Sequence, residues 1–221
     1  MITLRNRNKK INFKIKDFII KEIDPGNMDE IGAILKLRHD IYCNELKWVE
    51  PNPAGIEQDN YDNLAVYFGV FAQDGLLLGT SRIIPSNSYG FMVDNEFKRL
   101  VDPKKIKNID LKNTVEVSRL AVRSNSRGNK INGRLISEYL YLGMYKWSKV
   151  HRIKYWIFVV EKSFLDYLIN RYSMVLKLLG EGYKFEDGIF AVPALLELRE
   201  INKIIKKFLR DKIINIFNLP N

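Results

Sequence analysis

The chain predicts an α/β protein, a mixed central sheet flanked by helices. Three observations carry this. Segments rich in strand formers alternate with segments of helical apolar spacing through the middle of the chain. Hydrophobic residues make up 46% of the 221 residues and charged residues 28%, the balance of a globular protein. Strands also follow one another directly at two places, which points to a mixed sheet rather than a purely parallel one.

The elements follow in order. Residues 18–23 predict a strand that ends at the Asp24-Pro25-Gly26 turn. Ile31, Ile34, Leu35, Leu37, Ile41 and Tyr42 have helical spacing and predict a helix over 28–46. A polar connection with Pro and Gly follows over 50–63, too long for a tight turn and of a length that often carries function. Residues 64–72 and 76–84 predict a hairpin about Asp74-Gly75. A short helix is expected near 94–101, a strand over 114–122, a long helix over 129–150 and a strand over 153–160. A helix over 162–179 and strands over 182–185 and 189–198 complete the set.

Several function classes fall away on composition. Cys43 is the single cysteine, which excludes an intrachain disulfide and a Cys-rich zinc site. No apolar run reaches the roughly twenty residues of a membrane span, and the first twenty residues lack a signal-peptide core. The expectation is a cytoplasmic protein. His39 and His151 stand in no nucleophile motif and read as helix-terminal or surface histidines. Glu57, Asp59 and Asp62 cluster without a histidine, so no metal is expected.

The formal net charge of +10 is unevenly spread. Arg5, Arg7, Lys9, Lys10, Lys14 and Lys16 mark 1–16 as a basic extension without acids. Residues 199–221 hold six basic residues and two acids, and between these tails residues 17–198 are neutral. The neutral middle argues against nucleic acid as partner, leaving a non-catalytic nucleic-acid-binding or docking protein as the rival from another class. In 199–221, Ile201, Ile204, Ile205, Phe208, Ile213 and Phe217 near helical spacing predict a basic amphipathic helix. Packing on its own domain is the first reading of that helix, and peripheral membrane contact the second.

Two motifs carry chemistry. Val122, Arg127, Gly128, Ile131 and Leu135 match the strand-to-helix acyl-CoA loop V-x-x-x-x-R-G-x-G-I-G-x-x-L, which resembles that of the GCN5-related N-acyltransferases. Lys130 and Asn132 stand where that loop has its two later glycines, and side chains there obstruct the approach of a pyrophosphate. Residues 114–122 place Glu116 and Arg119 in one apolar run, and a β-bulge between them would turn both to one face.

Arg38, Tyr42, Trp48, Glu57-x-Asp59-x-x-Asp62, Arg82-Ile-Ile-Pro85 and Glu116-Val-Ser-Arg119, in this order, resemble the signature of acyl-homoserine-lactone synthases over roughly 17–198. The resemblance implies the GCN5-related N-acyltransferase fold. It also implies transfer of an acyl chain from the phosphopantetheine arm of acyl carrier protein to the amine of S-adenosylmethionine. Lactonisation then releases methylthioadenosine, and no tightly bound cofactor is needed.

In those roles Asp59, Asp62 and Trp48 suit an acceptor with an amine and a sulfonium. Arg38, Arg82 or Arg119 would take its carboxylate, with Tyr42 among the binding residues. Glu116 is the expected base, and Arg119 is its catalytic companion. Arg127, Gly128 and Lys130 form the expected donor loop. An acidic carrier protein would be steered by the tails with Lys98, Arg99, Lys104, Lys105 and Lys107. Tyr155, Trp156, Phe158, Leu168, Ile169 and Met174 are the candidates for the acyl pocket.

Some residues depart from the signature. Tyr42 stands where lactone synthases have Phe, and Leu120 follows Arg119 where many have Phe. Residues 41–45 are similar to the N-acyl amino acid synthases, which keeps a free amino acid open as the alternative acceptor.

Overall fold

The computed structural model describes residues 10–131 and 133–201. The chain divides into two compact units. One holds residues 10–85 together with Val117–His151, and the other holds Ser86–Glu116 together with 152–201.

In the first unit, strands β1 (Asn12–Ile15), β2 (Phe18–Glu22), β3 (Val66–Phe71) and β4 (Leu77–Pro85) form an antiparallel series. The later residues of β5 (Thr114–Val122) lie next to β4. β3 and β4 are buried along almost their whole length because a helix covers each face. On one face, α1 (Met28–Arg38) sets Ile34 and Leu37 against Tyr67, Phe71, Leu77 and Ala121. On the other, α3 (Ile136–Val150) brings Gly143 against Ile20 and Phe68. Gly79 makes this close packing possible, since a Cβ there would stand 2.8 Å from Ile136 Cγ2.

In the second unit, residues Thr114, Val115 and Glu116 of β5 run parallel to β8 (Tyr155–Glu161). β8 pairs antiparallel with β11 (Phe190–Glu197), which also pairs with β9 (Leu176–Leu178) and β10 (Tyr183–Lys184). Helix α4 (Lys162–Tyr172) packs on β8 and β11 through Leu165 and Leu168. A short helix, α2 (Pro103–Ile106), starts at the Asp102 cap. Gly180 meets the backbone of Leu100 so closely that a Cβ would lie 1.8 Å from its carbonyl oxygen.

The structure departs from the sequence expectations at identifiable places. The helix expected over 28–46 is α-helical only to Arg38 and continues as a π-helix over His39–Glu45. The helix expected from 129 begins at Ile136. Gly128 and Gly133 take φ of 75° and 76°, and a small hairpin of β6 (Lys130–Ile131) and β7 (Arg134–Leu135) occupies the intervening chain. The helix expected to reach 179 stops at Tyr172, where Ser173 takes φ 51°, and β9 follows. The short helix near 94–101 is two 3-10 turns, Met92–Asp94 and Lys98–Leu100. Within the expected basic extension 1–16, Ile11, Phe13 and Ile15 are buried, so the folded chain begins before residue 17. Residues 1–9, and 202–221 of the expected amphipathic helix, lie outside the described residues.

Candidate active site

The charged residues of the signature other than Glu116 meet in the first unit. Helical spacing puts Arg38 on the same face of α1 as Ile34, so its guanidinium enters the core where the helix ends. Tyr67 and Arg82 are cross-strand partners on β3 and β4 and share a face. The 50–63 connection is tied to α1 by the Glu57 N–H, which donates to the Leu35 carbonyl at 3.1 Å. Its end is folded by its own acids: the Asp59 N–H donates to Asp62 Oδ2 at 2.8 Å, and the Tyr61 N–H to Asp59 Oδ1 at 2.9 Å.

Three guanidiniums then interleave with three carboxylates. Arg38 donates to Glu57 from Nε at 2.5 Å and to Asp62 from Nη1 at 2.7 Å. Arg82 grips Asp59 with two parallel bonds of 2.7 Å, also reaches Asp62, and donates from Nε to Ser118 Oγ at 2.9 Å. Arg119 lies 3.1 Å from Glu57 and 3.0 Å from Asp59 through Nη2. The Tyr67 hydroxyl donates to Asp62 Oδ1 at 2.6 Å.

The cluster is electroneutral by count, which is how so many charges are tolerated inside a protein. Burial works against ionised Asp62, yet the hydrogen bond from Arg38 and the charges of Arg82 and Arg38 hold its carboxyl at about 2. Asp59 is also lowered: burial opposes its charge, but the Arg82 hydrogen bond and charge, with Arg119, outweigh it. Burial and the Asp62 charge push the Tyr67 phenol up, so it stays a donor. The side chains of Arg38, Arg82, Glu57 and Asp62 are nearly sealed, whereas Asp59 and Arg119 keep 21% and 18% of their side-chain surface. One anion and one cation therefore mark the solvent edge of the cluster.

Beside that edge, β5 leaves the extended conformation at Arg119, whose φ is 54°. That left-handed geometry costs an L-residue about 1–2 kcal/mol. The Tyr42 hydroxyl donates to the Leu120 carbonyl at 2.8 Å, and the Arg119 guanidinium lies 5.5 Å from the Tyr42 ring centroid. Trp48 stands 6.1 Å from Tyr42, centroid to centroid, and is 41% exposed.

Other predicted site residues lie elsewhere. Glu116 is in the second unit, buried, and its carboxylate accepts the N–H of Met92 at 2.5 Å and of Val93 at 3.2 Å. Arg127 of the expected donor loop is bound by Glu45, which also accepts from Ser124 Oγ at 2.5 Å. Gly128 is open on its Cβ side, and Lys130 is exposed on β6. The Leu135 N–H, at the start of α3, donates to Glu138 at 2.9 Å. Of the acyl-pocket candidates, Trp156, Phe158 and Leu168 are buried and Met174 is half-buried. Ile169 faces solvent on α4, so it does not join the buried set. Tyr155 instead lines a separate cavity of about 400 Å³ with Asp110, Lys177 and Glu197. Lys98, Arg99, Lys104 and Lys107 are exposed on the second unit, and Lys105 is half-buried.

Sequence reasoning assigned no role to Glu57, Tyr67 or Ser118. Glu57 lay within the motif, so its signal was available. Tyr67 and Ser118 read as ordinary strand residues, and only the β3–β4 pairing and the β5 kink bring them to the cluster. His39 is buried and His151 stacks on Trp147 at 3.9 Å, while buried Cys43 has its thiol pushed up by desolvation. Among the described residues, no helix is long and apolar enough to cross a membrane.

This mixed α/β fold, with helices on a mostly antiparallel set of strands, is that of the GCN5-related N-acyltransferases. It is similar to BjaI, described as a CoA-dependent acyl-homoserine lactone synthase and solved with SAM and isopentyl-CoA. The TM-score is 0.66 and the identity 20%, over 82% of each chain. It is also similar to FeeM, an N-acyl amino acid synthase from uncultured soil microbes, with a TM-score of 0.63 and 13% identity over 86% of this chain and 96% of that one. The autoinducer synthase family profile matches residues 26–201, and the chain belongs to that family. It is an acyltransferase. An acyl-homoserine-lactone synthase of Vibrio anguillarum is 25% identical over 150 residues, which cover 67% of this chain and 76% of that one.

Proposed function

We propose that the chain transfers an acyl group from acyl carrier protein to S-adenosylmethionine, closes the lactone and releases methylthioadenosine. The observation that carries this reading is the pairing of Asp59 and Arg119 at the exposed edge of an otherwise sealed, neutral cluster. A zwitterionic amino-acid head presents one charge of each sign and matches that edge, its ammonium to Asp59 and its carboxylate to Arg119. Arg38, Arg82, Glu57 and Asp62 hold the two in place. Exposed Trp48 beside Tyr42 offers an aromatic face to the sulfonium, which a plain amino acid lacks.

The amine must lose a proton to attack the thioester, and Glu116 of the signature is the group assigned to accept it, directly or through water. Attack forms the amide and expels the donor thiol. The acceptor carboxylate then displaces methylthioadenosine from the γ-carbon to close the ring.

A carrier-bound donor is favoured over free CoA by the loop after β5. Lys130 stands at a glycine position, Arg127 is bound by Glu45, and Glu138 already caps the start of α3. A pyrophosphate would meet a side chain and two carboxylates there. The exposed lysines and Arg99 of the second unit suit an acidic carrier. The same zwitterion match supports an N-acyl amino acid synthase as the second reading, since the FeeM fold overlaps this one. Mass spectrometry of the products from acyl carrier proteins and acyl-CoAs, offered S-adenosylmethionine or mixed amino acids, tests both. Acyl-homoserine lactone with equimolar methylthioadenosine is the expected result. An acyl amino acid without methylthioadenosine selects the second reading.

A further inference from the structure

The strained residue of β5 is held by contacts from three other segments. Arg119 takes a left-handed φ of 54° inside a strand, a conformation that persists only where its surroundings enforce it. From β4, Ser81 Oγ donates to the Ser118 carbonyl at 3.2 Å and Arg82 Nε donates to Ser118 Oγ at 2.9 Å. From the 50–63 connection, Glu57 and Asp59 hold the Arg119 guanidinium. On the far side of the kink, the Leu120 carbonyl receives the Tyr42 hydroxyl at 2.8 Å.

We infer that Tyr42 is a positioning residue: its hydroxyl braces the kink from the π-helix side and so fixes the guanidinium of Arg119 at the acceptor edge. The hydroxyl is committed to a backbone carbonyl, so a direct bond to substrate is not its role. Its ring remains beside Trp48. The π-helix explains how it arrives there. The wider turn over His39–Glu45 interrupts the α1 register after Arg38, and such insertions occur frequently at functional sites. Arg38 and Tyr42 then serve the same cluster from consecutive turns, one gripping its acids and the other its strand.

This inference rests on the acceptor reading above, so its test has an arm independent of turnover. Tyr42→Phe removes one oxygen and keeps the ring. The expected result is a five- to tenfold rise in the KM for S-adenosylmethionine, about the contribution of one neutral hydrogen bond. The kcat and donor KM should stay within about twofold. In hydrogen–deuterium exchange, a peptide spanning 117–122 should exchange faster, with α3 peptides unchanged. The effect should also vanish in an Arg119→Lys background, because Tyr42 acts through Arg119.

Unchanged exchange over 117–122 overturns the brace, whatever the kinetics. Faster exchange with unchanged acceptor KM overturns the link to the acceptor. Equal rises in both KM values with a lowered melting temperature reduce Tyr42 to a merely structural residue. If the wild-type enzyme consumes no S-adenosylmethionine, the acceptor reading has failed, and the exchange arm alone decides the brace.

Discussion

Asp62→Asn is the sharpest probe of the buried cluster. Asp62 is 3% exposed at its side chain and takes bonds from Arg38 and Tyr67, with Arg82 as a second cation. The substitution is nearly isosteric and leaves one guanidinium charge uncompensated, a change that costs about 3–5 kcal/mol when a buried pair loses a partner. The folded carboxyl sits at about 2 against an ordinary 3.8, so ionisation contributes on the order of 2 kcal/mol. A lowered folded value means that this stability is complete above the unfolded value and is lost as pH falls from about 4 through about 2. Roughly 1 kcal/mol of it should be gone by pH 3. Urea unfolding followed by circular dichroism at pH 7, 5, 4 and 3 measures the gap between the two proteins. It should be wide and flat from pH 7 to 5 and narrow below pH 4. A gap that stays constant down to pH 3, or one under about 0.5 kcal/mol at pH 7, would refute the ionic account.

Further outcomes follow from the same geometry. Asp59→Asn should raise the acceptor KM at least tenfold while moving the donor KM little, because Asp59 is the anion left at the solvent edge; steady-state kinetics with both substrates varied decides it. Glu116→Gln should remove most turnover while acceptor binding, read by calorimetry, persists, and unaltered turnover would take Glu116 out of the base role. Glu45→Ala should change stability by less than about 1 kcal/mol, since the Glu45–Arg127 pair is 34% and 41% exposed at its side chains. A melting shift as large as that of Asp62→Asn would contradict that ranking. Tyr42→Phe, with its exchange readout, completes the set.

Local pattern made part of this legible. Residues 114–122 alternate strand formers and form β5 over those same residues. The hairpin about Asp74-Gly75 is β3 and β4, because the turn chemistry and the flanking apolar runs agree. β1 was signalled by Ile11, Phe13 and Ile15 at period two, but a count of charges hides a strand whose one lysine, Lys14, is exposed. The start of α3 and the end of α4 differ from the expected bounds because the apolar spacing continues past the residues that break each helix. Gly133 before α3 and Ser173 after α4 take positive φ, which periodicity does not register.

The sequence by itself determined the α/β class, the order of most elements, and the set of charged residues that the family signature requires. It did so because burial patterns and residue types are written locally along the chain. Only the tertiary structure decided who holds whom: that Glu57 bridges Arg38 and Arg119, that Asp62 is shared by two arginines and a tyrosine, and that Glu116 is bound to the backbone at Met92 and Val93. These partners stand as far as 62 residues apart, and their pairing depends on strand register, a kink at Arg119 and a π-turn after Arg38. Each is a departure from regular geometry that neighbouring contacts impose, so no local pattern announces it.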